Sequence, residues 1–434
     1  MAAATTTPAN AAPAPAPAPA GDDAPLAFPN LALPQLAFVL TEPKASHKRQ
    51  GALENLIAGV TKDEMAPYLD TLVERGVVPA SLPSTSASTS SAPAASSSSS
   101  SSPSSPPSSA SDLIASLREK NTAELARLET KLSDARTNLG ESEVSDALRE
   151  RAAYLARIGA DKHQAVQAHE DAIEKTAGKG TKIDLVLSVV RIAMFHDDHE
   201  LIAATLDRAQ KLVDEGGDWD RRNRLKVYRG VHLLSIRNFK KGADLLLDAL
   251  PTFTASELID YDDFVVLCVL AGVFALERKD LKKKVIDAPE VIAVVPTVPT
   301  IKGFAESLHK SDYAAFFKAL ATVEEHHLLP SRLLSIHAKY YTRELRIKAY
   351  AQLLESYRSV TMDNLSAAFG VSSEWLDADL ARFIAAGRLT CSIDRVNGTV
   401  ETHRPDAKNA RYAAVIKQGD AVLTSVQRLS RVIG

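Results

Sequence analysis

Between residues 343 and 404 the spacing of apolar residues switches from a helical to a strand period with almost no slack, and few small folds accept that order of elements. Ile347, Tyr350, Leu354 and Tyr357 recur at three- and four-residue steps, which predicts a helix with one apolar face. Ser359 to Thr361 is a β-prone break. Met362, Leu365 and Phe369 then form a second helical stripe that stops at Gly370, a residue suited to left-handed helix termination. Ser372 or Ser373 can cap a third helix, whose Leu376, Leu380, Phe383 and Ile384 face inward until Gly387. After that the period is two. Leu389, Cys391 and Ile393 alternate with polar residues, Asn397-Gly398 suits a two-residue hairpin turn, and Thr399 to Thr402 returns as the partner strand. Helix, helix-turn-helix and two-stranded wing together make a winged helix.

Winged helices often read DNA through the third helix, which then needs donors and positive charge. Here the positions read as outward are Glu374, Asp377 and Asp379 against a single Arg382. Arg395 in the wing is offset by Asp394 and Glu401. The electrostatic attraction that dominates nucleic-acid affinity is missing, so this surface is expected to touch protein and no nucleic acid.

The whole chain agrees. Its 434 residues are 45% hydrophobic, with 51 Lys and Arg against 54 Asp and Glu, enough apolar content for more than one core and no polyelectrolyte bias. Cys268 and Cys391 stand far apart in apolar runs and read as reduced core thiols. No run approaches a membrane span and no signal peptide is evident, so the expectation is a soluble protein of cytoplasm and nucleus that binds no membrane.

The chain divides by composition. Residues 1–27 form an Ala/Pro-rich tail and residues 81–111 a Ser/Pro-rich linker, neither able to bury enough apolar surface to offset chain entropy. Between them, residues 28–80 read as a small helical module with a break at Pro67, hung on that flexible tether. Leu125, Leu128, Leu132, Ala135 and Leu139 follow at heptad-like spacing. From there, apolar helix ends meet short polar turns after Ile158, Phe195, Ile236, Leu276 and Leu308, about 40 residues apart, the length of a helix-turn-helix repeat that must stack on its neighbours. Small residues after the turns, such as Ala165, Ala168, Gly242 and Ala243, would let paired helices approach closely. The fold class expected is mainly α: an α-solenoid of TPR-like repeats over 112–289, a second unit over 290–404 (helical part 290–342, winged helix 343–404), and a C-terminal helix over 405–434. Tyr412, Val415, Ile416, Val422, Leu423, Val426, Leu429 and Val432 make that last helix strongly amphipathic beyond a complete winged helix.

Candidates for chemistry fall away. His196 to Glu200 offers five potential metal ligands, but a repeat turn explains them, with Asp198 capping the next helix. Gly178-Lys179-Gly180-Thr181 lacks the first glycine of a phosphate loop, since Ile173 stands in its place, and no H-E-x-x-H or G-x-S-x-G motif occurs. No catalytic residue, cofactor or metal is expected. The charged run Glu215 to Tyr228 holds one of two tryptophans. It reads either as a repeat loop whose arginines pair with acids and whose Asp218 caps a helix, or as a contact patch built on Trp219, Arg221, Arg222 and Arg224.

Glu215 to Tyr228, Gln352 to Arg358, Ala368 to Val371, Ala381 to Leu389 and Ile393 to Asn397 together resemble the PCI-domain non-ATPase subunits of the 26S proteasome lid. The likeness runs from about residue 28 to the C-terminus, departing at the Ser/Pro stretch. It implies a scaffold without catalytic activity, whose winged helices pack side by side and whose C-terminal helices gather into a bundle. It also implies other lid subunits, the base ATPases and the lid deubiquitinase as partners. The contact residues expected are then Trp219, Arg221, Arg222, Arg224, Glu374, Asp377, Arg382, Ile416, Leu423, Val426 and Leu429. A PCI scaffold of the related signalosome, a winged-helix nucleic-acid-binding factor and a free-standing peptide adaptor stay open as alternatives.

Overall fold

The structure is a computed structural model, and it describes residues 28–42, 49, 51–79, 110–403 and 407–433. The Ala/Pro-rich tail, all but the last two residues of the Ser/Pro-rich linker, and Pro405 lie outside the described residues. Ala110 and Ser111, read as linker, already belong to a helix.

Three short helices form the N-terminal module: α1 (Ala32–Thr41), α2 (Ala52–Asp63) and α3 (Ala66–Glu74). Glu64 adopts a left-handed conformation between α2 and α3, with Pro67 in the first turn of α3, where its missing N–H costs nothing. The module does not hang free. Leu56, Val60, Met65 and Leu69 bury their side chains against Leu113, Ile114 and Leu117 of α4 (Ala110–Asn138) and against Phe195. Gln35 donates to the Pro330 carbonyl at 2.5 Å and accepts from the Arg332 amide at 2.9 Å, tying α1 to a segment almost 300 residues away. Sequence periodicity carries no information on such long-range packing.

The repeats are α5 (Glu141–Arg157), α6 (Lys162–Lys175), α7 (Lys179–Phe195), α8 (His199–Asp214), α9 (Trp219–Ser235), α10 (Phe239–Ala249) and α11 (Tyr261–Ala275). After a short α12 (Arg278–Leu281) come α13 (Pro289–Val294), α14 (Pro299–Lys310) and α15 (Tyr313–Val323). Four of the five turns foreseen share one device. Gly159, Asp197, Arg237 and Ser311 all have positive φ, and the next amide reaches back five residues: Ala160 to Leu155, Asp198 to Ala193, Asn238 to Leu233, and Asp312 to Ser307. These bonds close the helix ends by satisfying orphan carbonyls. The fifth turn, at Leu276, stays extended. There the Lys348 ammonium donates to the carbonyls of Val273, Phe274 and Leu276, the shortest at 2.6 Å, while burial pulls its pKa down to about 8. The heptad-like stripe of α4 packs on its neighbours, with Leu128, Leu132 and Ala135 buried and Leu139 exposed. Close approach is visible where α9 meets α10: a Cβ on Gly230 would lie 2.6 Å from Leu246 Cδ2, and one on Gly242 would lie 3.0 Å from Leu234 Cδ2.

The winged helix follows as expected in order, with three local differences. Its first helix, α16, runs Ala338–Leu354, so Tyr357 lies beyond it and is exposed. β1 (Ser359–Thr361), α17 (Met362–Phe369), α18 (Ser373–Ala385), β2 (Cys391–Asp394) and β3 (Thr399–Thr402) complete it. Ser372 stands at the N-cap of α18, but its hydroxyl makes no capping hydrogen bond. The antiparallel sheet has the order β1-β3-β2, with Val400 paired to Val360 and Ile393 and fully buried. The hairpin loop is four residues, Arg395 to Gly398, because Asp394 pairs with Thr399; only Gly398 has a positive φ, and the Asp394 carboxylate organises the loop by accepting from the Val396 and Asn397 amides. One core runs from Ile173 through the repeats to Val400 of the wing. Repeats and winged helix therefore fold on a shared seam.

One buried titratable group makes this packing sensitive to acid. His169 on α6 is 2% exposed, its Nδ1 is 2.8 Å from the Ala165 carbonyl, and burial lowers its pKa to about 4. Folded protein therefore binds fewer protons than unfolded protein between pH 6.5 and about 4, and stability drains away as pH falls through that window. The loss should reach roughly 3 kcal/mol relative to neutral pH. Urea unfolding of the parent and of His169→Gln at pH 7.5, 5.5 and 4.5 checks this: the difference between the two should shift toward the variant as pH falls. Parallel pH profiles would contradict it.

Candidate interaction surfaces

The charged run before and within α9 splits by helical phase into an inner and an outer side. Leu225, Val227, Tyr228 and Val231 bury one side, and Arg224 is carried inward with them at 3% exposure. Arg221 and Arg224 both hold Asp184 of α7, Arg221 Nη2 at 2.7 Å, and these hydrogen bonds push the Arg221 pKa up. Tyr228 donates to Glu257 Oε1 at 3.1 Å and accepts from Arg191 Nη1 at 3.3 Å; Arg224 Nη1 is 3.8 Å from the same Glu257 oxygen. Burial drives the Tyr228 pKa strongly upward, so the phenol stays protonated and works as a donor. Arg221 and Arg224 are thus internal ties between α7, α9 and the segment before α11, not the contact residues expected. Asp218 does not cap α9 with its side chain; it pairs with Arg221 at 2.5 Å.

The outer side of α9 carries Trp219, Arg222, Lys226, Arg229 and Leu233, spaced three, four, three and four residues apart on one face. Trp219 is 63% exposed. Arg222, Lys226 and Leu233 line a groove of about 630 Å³ against α8 and α10, opposite Val213 and Lys241. Of the four residues expected in the α9 patch, the structure keeps Trp219 and Arg222 at the surface.

On the winged helix, Glu374 and Arg382 are exposed. Asp377 is half-buried and holds Arg395 at 2.7 Å, bracing the wing against α18. Asp379, read as outward, points inward at 4% exposure: Arg346 Nη1 donates to it at 3.1 Å and the Tyr350 hydroxyl at 3.1 Å. Burial, with the Asp379 carboxylate second, pushes the Tyr350 pKa far up. Arg346 also lies 5.5 Å from the Trp375 ring, itself 42% exposed, and Val396 at the wing tip is 94% exposed. Trp375 and Val396 were missed, although a tryptophan next to Glu374 and a valine in a hairpin loop are both out of place for a buried role. With Asp379 removed, the exposed face of α18 still offers no excess of positive charge.

The C-terminal helix α19 runs Ala407–Ile433. Tyr412, Val415, Ile416, Val422, Leu423, Val426 and Leu429 are each between 59% and 67% exposed, and Val432 is 85% exposed. The apolar stripe thus stands bare along the described length of the helix.

Among the described residues no group of three or more His, Cys, Asp or Glu side chains could hold a metal ion, and no helix is long and apolar enough to cross a membrane. In the turn at 196–200, Asp198 caps α8 by accepting from the Leu201 amide at 3.1 Å, and Asp197 pairs with Arg332 at 2.7 Å. Cys268 is buried, and burial raises its pKa well above that of a free thiol.

Stacked helical repeats that share a core with a winged helix, followed by a bare amphipathic helix, define a PCI-type subunit, and residues 312–404 match the PCI domain. Residues 111–284 match the 26S proteasome subunit RPN7 family, and residues 411–433 the 26S proteasome regulatory subunit RPN7/PSMD6 C-terminal helix. The chain is 41% identical to the 26S proteasome non-ATPase regulatory subunit 6 of Oryza sativa over 406 residues, spanning 93% of this chain and 96% of the rice protein. It is 38% identical to the 26S proteasome regulatory subunit rpn7 of Schizosaccharomyces pombe over 407 residues, 93% of this chain and 96% of the yeast protein. The chain belongs to this Rpn7 family of 26S proteasome regulatory subunits. Likeness to COP9 signalosome complex subunit 1 of Arabidopsis thaliana is weaker, 26% over 199 residues and 45% of each chain.

Proposed function

We propose that this protein is a non-catalytic scaffold of the proteasome lid that organises subunit assembly for ubiquitin-dependent degradation. The observation that carries the reading is α19: a 27-residue helix with its apolar stripe bare, attached to a body whose own core is already closed. An apolar face of that length gains its stability only by burial, and the body offers it nothing. The winged helix supplies a second contact through Glu374, Trp375 and Arg382, and the outer face of α9 a third through Trp219 and Arg222. Other lid subunits meet the first two. Base ATPases and the lid deubiquitinase are further neighbours in this reading, which places the protein in cytoplasm and nucleus with the particle.

Affinity purification of the full-length tagged chain from its own cells tests the proposal. Lid and base subunits should co-purify in near-equal amounts, and no hydrolytic activity should remain with the chain once they are stripped away. Recovery of the chain alone, or with signalosome subunits in their place, would overturn it.

A further inference from the structure

Within the stripe of α19 one position is empty. Gly419 sits three and four residues after Ile416 and Val415, and three and four residues before Val422 and Leu423. Those spacings are the nearest neighbours on a helix surface, so four branched side chains ring a residue that has none. A glycine inside an exposed helix costs roughly 1 kcal/mol against alanine. Among the described residues nothing explains it: apart from the helix's own neighbouring backbone, no atom lies within 4 Å of where a Gly419 Cβ would stand.

We infer that Gly419 is the floor of a socket that receives one large apolar side chain from a carboxylate-bearing helix of another chain. A knob entering a hole walled by four residues is how helices interlock at close range, and a glycine floor lets the knob sit deeper than alanine would. Charge selects the partner. The helix carries Lys408, Arg411, Lys417, Arg428 and Arg431 against the single Asp420, a net of +4 on a chain whose total is −3. A second copy of α19 would bring a like charge of +4 alongside, whereas a helix rich in Asp and Glu is attracted. The inference rests on the proposed role of α19 in assembly.

Full-length chains carrying Gly419→Ala, Gly419→Leu, Ala421→Leu on the opposite face, or a deletion of residues 407–434 test it. Each replaces the resident subunit, and its incorporation into the proteasome is read on native gels, with helix content of the isolated chain read by circular dichroism. Filling the socket should raise helix content slightly yet lower incorporation, about threefold for alanine and tenfold or more for leucine, while Ala421→Leu incorporates like the parent. Parental incorporation of Gly419→Leu, with the deletion blocked, would overturn the socket and leave the assembly role of α19 standing. Full incorporation of the deletion would overturn both. Equal losses for Gly419→Leu and Ala421→Leu would show that added bulk anywhere on α19 is harmful, and would also overturn the socket.

Discussion

Replacing Glu257 by leucine should destabilise the protein by about 3–5 kcal/mol, more than any surface change in the repeats. Glu257 is 8% exposed and is the one buried carboxylate beside Arg224 and the Arg191–Tyr228 pair, which are 3%, 2% and 0% exposed. Removing a partner from a buried ion pair leaves uncompensated charge in a low-dielectric site, and that is the costly direction. Polar atoms of the site are already left unsatisfied: Arg191 Nε, Arg224 Nε and Glu257 Oε2 are buried without hydrogen-bond partners, and Arg224 Nε lies 3.3 Å from Asp220 without forming a hydrogen bond. Asp218→Ala is the control, because its side chain is 71% exposed and exposed pairs contribute less than about 1 kcal/mol. Denaturant unfolding should separate the two variants clearly. A Glu257→Leu protein within 1 kcal/mol of the parent would mean Asp184 and Asp220 suffice to compensate Arg224, and Glu257 would not be what ties α9 to the segment before α11.

Truncation after Asp406 should have the opposite signature, leaving folding intact and removing assembly. The described stripe of α19 is exposed along its length, and the core cluster that joins repeats and winged helix ends at Val400. Loss of the helix should therefore move the unfolding free energy of the body by less than about 0.5 kcal/mol, as for surface changes generally. Incorporation into the large particle should drop at least tenfold. Circular dichroism and denaturant unfolding check the first half, and co-purification of other subunits checks the second. A truncated chain that melts early would mean α19 packs on its own body.

How far the sequence could be read depends on whether the deciding interaction is local. The repeat turns at Ile158, Phe195, Ile236 and Leu308 were legible because helix closure is a matter of five or six neighbouring residues, and the left-handed positions that close them fall inside the polar breaks. The order of winged-helix elements was legible for the same reason. Asp379 and Arg224 were placed wrongly although phase marked them: Asp379 stands three residues after Leu376 and four before Phe383, and Arg224 stands four before Tyr228, all of them buried. Polarity alone points both outward, and a buried charge with a partner on another helix breaks that rule. The docking of α1 through Gln35 and the clamp of Lys348 on α11 had no local trace at all, since both join segments more than 70 residues apart. At the surfaces, the C-terminal stripe was fully legible, whereas which of four neighbouring residues in the α9 run face outward was decided by packing against α7.

The most direct test of the scaffold account is the native size of the protein in its own cells. Extract separated on a native gel, overlaid with a fluorogenic peptide to reveal proteasome activity and then probed for this chain, should show it in the peptide-hydrolysing bands and in the free regulatory particle, with none near its own mass of 46.6 kDa. A chain found chiefly at that mass, away from every active band, would contradict the account.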